Sequence, residues 1–515
     1  MSSAGPTLFA TPASVQAIER ARALVVLVGS YDGSGNYGDI AQFDAARELV
    51  ERLGPGLLAL PVLERQYLAG HRQLCENLSA PDRPALFFDP GDEGEHEDGL
   101  LAVAAPVDLA FGASYLYGGG YLNRLWGERK LALLAAAEAL LADGGAASSC
   151  HLSSGLQVEP GWVAELADGT SAIDRLDFLG ARDDASRRAL AAVGLEAPAL
   201  NTGDDAVGPL SRLPVDDPAP DDGRLHLNLH FAEHEWVTRR PQAALDFYAG
   251  FMAELARLAN RPVVAQPVIA YLDGRIDERA ALERLAGACA AAGVDVAEPL
   301  VLRPAGLAAA APRLGRAELT LSCSYHVALT SLMLGVPAAL IGDNPYYEQK
   351  AAGLGADFGL PPAFTGPTTD DPGQRAGEIA SVLLDDERRQ RLRSSLTAAA
   401  ERLRRRRCAA EAELLALLGG AAATALGDRV EELAARLRLH AAAPAQLQAR
   451  LATLQTELEE LRQRVDESPL EAELRVQEAE ARAEAAETTL ATALGSRSWR
   501  MTASLRRLGG LVRRG

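Results

Sequence analysis

His326 is the residue of this chain best placed to move a proton. It stands within Glu318–Lys350, ELTLSCSYHVALTSLMLGVPAALIGDNPYYEQK. The apolar run at 319–321 is long enough for a buried strand, and Ser322, Ser324 and Tyr325 lead from it to the histidine. Residues 327–334 have helical spacing, Gly335 stops the helix, Pro337 blocks its continuation, and 338–341 reads as the next strand. His326 is therefore expected where a strand ends and a helix begins, the edge of an open α/β sheet at which ligands bind. Lys350 follows a further strand and loop, which would return it to the same edge. An imidazole exchanges its proton near neutral pH. The plainer reading, a histidine that packs or caps at a helix start, is weaker here because polar loops and Lys350 accompany it.

Other predicted strand-to-loop junctions carry similar residues. The apolar run at 24–28 enters GSYDGSGNYGD, in which Gly33, Gly35 and Gly38 make a GxGxxG match ahead of a helix-spaced segment at 40–53. A dinucleotide site needs an acid closing the second strand to hold a ribose. The second strand candidate, 57–62, has none before Glu64. Asp39 at the helix start would also compete with a phosphate for the amide dipoles. NAD is not expected. Asn36 and Asp39 are read as partners for the hydroxyls of a polar substrate, against the plainer reading of a turn with an Asp N-cap. The run at 114–117 ends in Gly118, Gly119 and Gly120, where backbone can come close to a ligand or a neighbouring strand. Tyr121, Asn123 and Arg124 follow. A strand near 147–152 enters Ser153, Ser154, Gly155 and Gln157, and one at 177–181 opens into Arg182, Asp183 and Ser186 at a helix start.

These elements must be positioned by a sheet. The repeated β–α pattern predicts a doubly wound, Rossmann-like domain over 22–212. A Pro- and Asp-rich linker, LPVDDPAPDDG at 213–223, and a second β–α series over 224–384 follow. Residues 385–492 read as a helical, charged extension. Leu447, Leu451, Leu454, Leu458, Leu461 and Val465 form a heptad seam bounded by Pro444 and Pro469. The seam fits either packing on the same chain or a homodimer. The tail, 493–515, has six arginines and no acid, with Trp499 and Leu505 among its apolar residues. It is suited to an anionic membrane surface or to a basic disordered end. Removing 421–515 is expected to leave both α/β units folded.

Composition narrows the partners. The 515 residues carry a net charge of −19, which argues against a general nucleic-acid binder. Five scattered cysteines form neither a disulfide framework nor a zinc spacing. His226, His230 and His234 lack the carboxylate that would complete a metal set, so no metal is expected. With no signal peptide and no apolar run of membrane length, a cytoplasmic protein is expected, peripheral at the inner face of the plasma membrane if the tail binds there.

Together the loops resemble the polysaccharide pyruvyl transferase family. The matching pieces are GNYGD (Gly35–Asp39), GGGYL (Gly118–Leu122), SSGLQVEP, RDDAS (Arg182–Ser186) and SYHVALTSLMLGVPAALI with Lys350, in family order. The resemblance implies two Rossmann-like domains in a glycosyltransferase-B-like arrangement. It implies phosphoenolpyruvate as co-substrate, no bound cofactor, and a sugar or lipid-linked glycan as acceptor. His326 matches the acid that protonates the donor. Arg182, Lys350, Arg124 and Ser324 fall at donor-binding positions, with Gly35, Asn36, Gly38, Asp39, Gly119, Gly120 and Gln157 in the acceptor and loop positions. The family usually has arginine two residues before the histidine, where this chain has Ser324. Two alternatives follow from that departure: a nucleotide-sugar glycosyltransferase, and a catalytically silent scaffold.

Overall fold

The computed structural model describes residues 7–439, apart from short segments of which 90–99, 214–223 and 229–240 are the longest, together with Thr456. Ala23–Val28, ALVVLV, is buried at every position, as a central parallel strand covered on both faces must be. It lies inside a seven-stranded sheet. The order is Leu101–Ala102, Thr7–Ala10, Leu86–Asp89, Leu58–Glu64, Ala23–Val28, Phe111–Leu116 and Ser148–Ser153. Its pairings are parallel except for Thr7–Ala10, which runs antiparallel to both neighbours. The sheet thus begins at Thr7, before the expected boundary at residue 22. That strand pairs in full with Leu86–Asp89, and Thr11 caps the helix Pro12–Arg20 that follows it.

A single sheet was expected over 22–212, and the chain builds two. Four short parallel strands, Gly119–Leu122, Leu156–Val158, Leu179–Ala181 and Ala199–Asn201, form a second sheet. The chain leaves the first sheet at Leu116 and Ser153 and restarts as a strand after two intervening residues, at Gly119 and Leu156. Gly119 (φ 128°) and Gly155 (φ 66°) make these steps in the region that favours glycine. Gly119, Gly120 and Gln157, expected in loops, therefore lie on strands. Leu152 and Phe178 bridge the two sheets.

The third sheet is wholly parallel. It runs Asp295–Val296, Val264–Ile269, Arg224–Asn228, Leu319–Ser322 and Ala338–Leu340, with Leu300–Val301 also on Val264–Ile269. The protein is thus a mixed α/β fold of parallel, Rossmann-like sheets with a helical C-terminal region. Tyr37 ties its halves together. The Tyr37 N–H donates to the Ala270 carbonyl at 2.8 Å, and the phenol lies 3.1 Å from Thr330 Oγ1 on helix Tyr325–Met333.

The helix Asp386–Leu439 is not separable from these sheets. Leu392, Leu396, Ala399, Ala400 and Leu403 recur at helical spacing and are buried in the core around the third sheet. Leu414, Leu418 and Ala422, further along the same helix, are buried in the core of the first sheet. Between them Arg406 Nη1 donates to Asn201 Oδ1 at 3.2 Å and to Asp357 Oδ1 at 2.9 Å, one acceptor from each half. The expected linker beyond Leu213, the seam at 447–465 and the tail at 493–515 lie outside the described residues. No described helix is long and apolar enough to cross a membrane.

Two truncations should therefore behave differently. A chain ending at residue 420 keeps Leu414 and Leu418 and should stay soluble with a cooperative thermal transition. One ending at 384 exposes both cores and should be insoluble. Leu414→Ala should lower unfolding free energy by about 2–5 kcal/mol in a urea titration.

Candidate active site

His326 sits in the first turn of helix Tyr325–Met333, directly after strand Leu319–Ser322 and the N-cap Ser324. The connection is pinned by Ser322, whose hydroxyl accepts from the Ser324 N–H at 2.9 Å and donates to Asn228 Oδ1 at 3.0 Å. The imidazole is mostly buried and stands edge-on to Tyr325, with ring centres 5.2 Å apart. Its Nδ1 side faces Gly38. A methyl group at Gly38 would lie 1.8 Å from Nδ1, so only glycine lets the Asn36–Asp39 loop close onto the ring. Structure thus brings together two loops that lie nearly 300 residues apart.

The other ring nitrogen, Nε2, is buried without a hydrogen-bond partner among the described residues and lies 3.7 Å from Asp204 Oδ2. Asp204 is itself buried. Its Oδ2 accepts from Gln42 Nε2 at 3.0 Å and its Oδ1 from the Ala206 N–H at 2.9 Å. Arg182 Nη1 is 3.7 Å from the same Oδ2. Burial alone would push this carboxyl up. The nearby His326, the Arg182 charge and the Ala206 amide outweigh it and hold Asp204 down to about 2.

Arg182 follows strand Leu179–Ala181 and precedes Asp183, which caps helix Asp184–Val193 by accepting from the Ser186 N–H at 2.8 Å. The guanidinium is almost fully buried. It stacks 3.9 Å from the centre of the Tyr325 ring, and its Nη2 donates to Gln157 Oε1. Gln157 Nε2 has no partner among the described residues. Lys350 reaches the same place from helix Pro345–Phe358, with Nζ 4.0 Å from the Tyr346 ring centre and 5.3 Å from that of Tyr347. A methyl group on Gly120 would lie 2.6 Å from Tyr346 Oη, 2.7 Å from Gln157 Oε1 and 3.2 Å from Lys350 Cε. The strand Gly119–Leu122 therefore closes over these three side chains. Burial and then the Arg182 charge lower the Lys350 ammonium to about 7, against the pull of Asp39 and Asp204.

The remaining expected residues are placed less uniformly. Asn36 caps helix Tyr37–Glu51. Its Oδ1 accepts from the Gly38 N–H at 3.0 Å and its Nδ2 donates to Asp39 Oδ2 at 2.8 Å. Gly35 precedes it and is half-buried. Ser324 is half-buried and its side chain makes no cap bond. Arg124 is 57% exposed and pairs with Glu159 at 3.3 Å, so it does not replace a buried cation. The side chain of His226 is buried inside the third sheet with both nitrogens unpartnered among the described residues, and burial lowers it to about 4. Among the described residues no group of His, Cys, Asp and Glu is arranged to hold a metal. His230 and His234 lie outside them.

Sequence reasoning missed Asp204, Asp205 and Gln42. Adjacent carboxylates in TGDDAVG, after a short strand and a glycine, were the available signal. Gln42 lies one helical turn past Gly38 and carried none, because nothing local marks a helix-face glutamine as facing a charge.

The fold and site define a two-halved α/β protein with a histidine between a buried carboxylate and a glycine loop, and two cations beside it. A family model described as polysaccharide pyruvyl transferase matches residues 36–345, more than half of the chain, and the chain belongs to that family. A search of curated proteins found no match. Among solved structures, UDP-GlcNAc 2-epimerase from Methanocaldococcus jannaschii is 14% identical at a TM-score of 0.41, covering 71% of this chain and 93% of its own. A putative UDP-N-acetylglucosamine 2-epimerase from Listeria monocytogenes is 12% identical at 0.42, covering 74% and 94%. A variant O-GlcNAc transferase from Thermobaculum terrenum is 14% identical at 0.37, covering 78% and 69%.

The Asp204 pairing has a measurable signature. A carboxyl held below its ordinary value of 3.8 stabilises the fold above that value, and the contribution is lost as pH falls towards about 2. The full effect is about 2 kcal/mol. The thermal midpoint of Asp204→Asn should therefore fall less steeply than wild type between pH 4 and about 2. Parallel acid limbs in the two proteins would contradict the pairing.

Proposed function

We propose that the chain transfers pyruvate from phosphoenolpyruvate to a pair of hydroxyls on a sugar of a cell-surface glycan or its precursor, forming a ketal. The observation that carries this reading is the placement of His326, backed by Asp204 at Nε2, beside the Arg182 and Lys350 cations. Such a donor must be protonated on its methylene carbon while its carboxylate and phosphate are held by positive charge.

In this reading His326 gives a proton to the methylene, turning the C=C bond into a methyl group and leaving an electron-poor carbon. One sugar hydroxyl adds there, forming a C–O bond and giving its proton to the now neutral imidazole. The C–O bond to phosphate breaks, the second hydroxyl adds to the same carbon to close the ketal, and its proton leaves with the phosphate. Asp204 stabilises the imidazolium before transfer and orients the ring. Arg182, locked by Tyr325 and Gln157, suits a planar carboxylate, whereas Lys350 acts as a point charge for phosphate. Asn36 and Asp39 lie on the loop that touches His326 and are suited to binding the sugar. Ser324, where the family usually has arginine, leaves the donor one cation short, so binding rests more heavily on Lys350.

His326→Gln should reduce transfer about 10²–10⁴-fold in a chain that still unfolds in one cooperative transition. Full activity in that variant would remove the acid from the mechanism. Ser324→Arg should tighten phosphoenolpyruvate binding in calorimetry. Absence of such binding in both wild type and Ser324→Arg, alongside binding of a nucleotide sugar, would favour glycosyl transfer.

Lys350 adds a pH dependence. With the free ammonium near 7, an anion bound beside it draws a proton onto the amine. Affinity for phosphoenolpyruvate should be highest below pH 7 and fall as pH rises above it. Calorimetry at pH 8, in two buffers of different ionisation enthalpy, should record proton uptake. Lys350→Met should abolish that uptake.

A further inference from the structure

We propose that Arg407, on the long helix beyond the family-matched segment, is a positioning residue of this active site. It holds Asp205 in place, and through Asp205 it aligns the adjacent Asp204 carboxylate with His326. The inference rests on His326 being the working acid.

Arg407 lies where the helix Asp386–Leu439 passes from one core to the other, and it is 1% exposed. Its Nη1 pairs with Asp205 Oδ1 and donates to Ser154 Oγ at 3.2 Å, while its Nε donates to Glu411 Oε1 at 3.0 Å. Asp205 is fully buried. Its Oδ2 accepts from the Gly118 N–H at 2.6 Å and its Oδ1 accepts from the Ser154 hydroxyl. That hydroxyl is also 2.6 Å from Tyr115 Oη. Asp205 is therefore tied to the long helix, to the start of the glycine strand and to the end of strand Ser148–Ser153.

Asp204 inherits this rigidity. The carbonyls of Asp204 and Asp205 accept from the Val207 and Gly208 N–H groups, each at 3.1 Å, at the start of the short helix Val207–Leu210. A methyl group on Gly208 would lie 2.8 Å from Glu411 Oε1, so glycine there admits the long helix. Gln42 Nε2, which donates to Asp204, would lie 2.9 Å from a methyl group on Gly118, the residue whose amide holds Asp205. The charged and titratable groups acting on Asp205 are Arg407, Asp204, Tyr115 and Tyr121, with Glu411 on the far side of the arginine. Arg407 is the cation in direct contact with Asp205. Deleting it leaves two adjacent buried carboxylates facing one imidazole and Arg182, an uncompensated charge that a low-dielectric site penalises strongly. Burial already pushes the Asp205 carboxyl above its ordinary value, with the Arg407 charge opposing that rise.

The test is the titration of His326 in the full chain, followed by ¹⁵N-imidazole NMR and assigned by the signals missing from His326→Gln. It needs neither donor nor acceptor, so its result is independent of whether pyruvate is transferred. In Arg407→Met the His326 midpoint should move up by about half a pH unit or more. In Asp205→Asn/Arg407→Met, which lacks the orphaned charge as well, it should return towards wild type. Arg407→Lys should shift it less than Arg407→Met. An unchanged midpoint in a folded Arg407→Met would overturn the proposal, leaving Arg407 as a staple between helix and sheet. A shift that persists in the double variant would overturn it too, since the effect would not pass through Asp205. If Arg407→Met does not fold, Arg407→Gln, which also removes the charge but keeps hydrogen-bond donors for Asp205 and Ser154, decides by the same measurement: a raised midpoint supports the role and a wild-type midpoint excludes it.

Discussion

Two consecutive carboxylates, Asp204 and Asp205, are buried together, and the architecture around them supplies the charges that make this tolerable. A buried carboxylate without a partner would be neutralised or would destabilise the fold by several kcal/mol. Asp204 faces His326 and Arg182; Asp205 faces Arg407. His326, Arg182 and Arg407 come from the third sheet's helix, the carboxyl end of an inner strand of the second sheet and the long C-terminal helix. The cluster can be complete only when all three parts are assembled. It therefore links correct packing of the two halves to the protonation state of the site.

The same assembly explains the form of the chain. Catalytic loops at the ends of parallel strands are common in α/β proteins, but here two such edges from opposite halves must meet at van der Waals distance. Gly38 permits the contact with His326, and Gly120 permits the contact with Gln157, Tyr346 and Lys350. The helix 386–439 then fixes the halves by burying one stripe of leucines in each core.

The two cations beside His326 are tuned for different tasks. Arg182 is stacked, bonded and paired, so its geometry is set before any ligand arrives. Lys350 rests against tyrosine rings, and its proton is held weakly enough to respond to an arriving anion. A preorganised fork and an adjustable point charge would suit the proposed donor, which carries both a carboxylate and a phosphate.

Much of this was legible in the residues. Buried parallel strands announce themselves as continuous apolar runs, and helix starts and stops by caps and glycines, so the β–α order and the strand-end positions of Arg182 and His326 could be read locally. The resemblance carried by GNYGD, RDDAS and SYHVALTS indicated the family. What could not be read was whatever depends on contacts between distant segments. The split of the N-terminal half into two sheets turns on positive φ at Gly119 and Gly155, and glycine in a sequence signals permission without direction. Arg124 looked equivalent to Arg182, yet one is exposed beside Glu159 and the other is buried beneath Tyr325. Arg407 stood in a run of four arginines, RRRR, with no local mark to separate it from its neighbours. Sequence by itself determined the long central strands and most helices, because hydrophobic period and capping act within a few residues, but not the short strands Thr7–Ala10, Gly119–Leu122 and Leu156–Val158. Only tertiary structure decided which carboxylate meets which cation, because charge pairing in a buried site acts through space between residues up to about 200 positions apart.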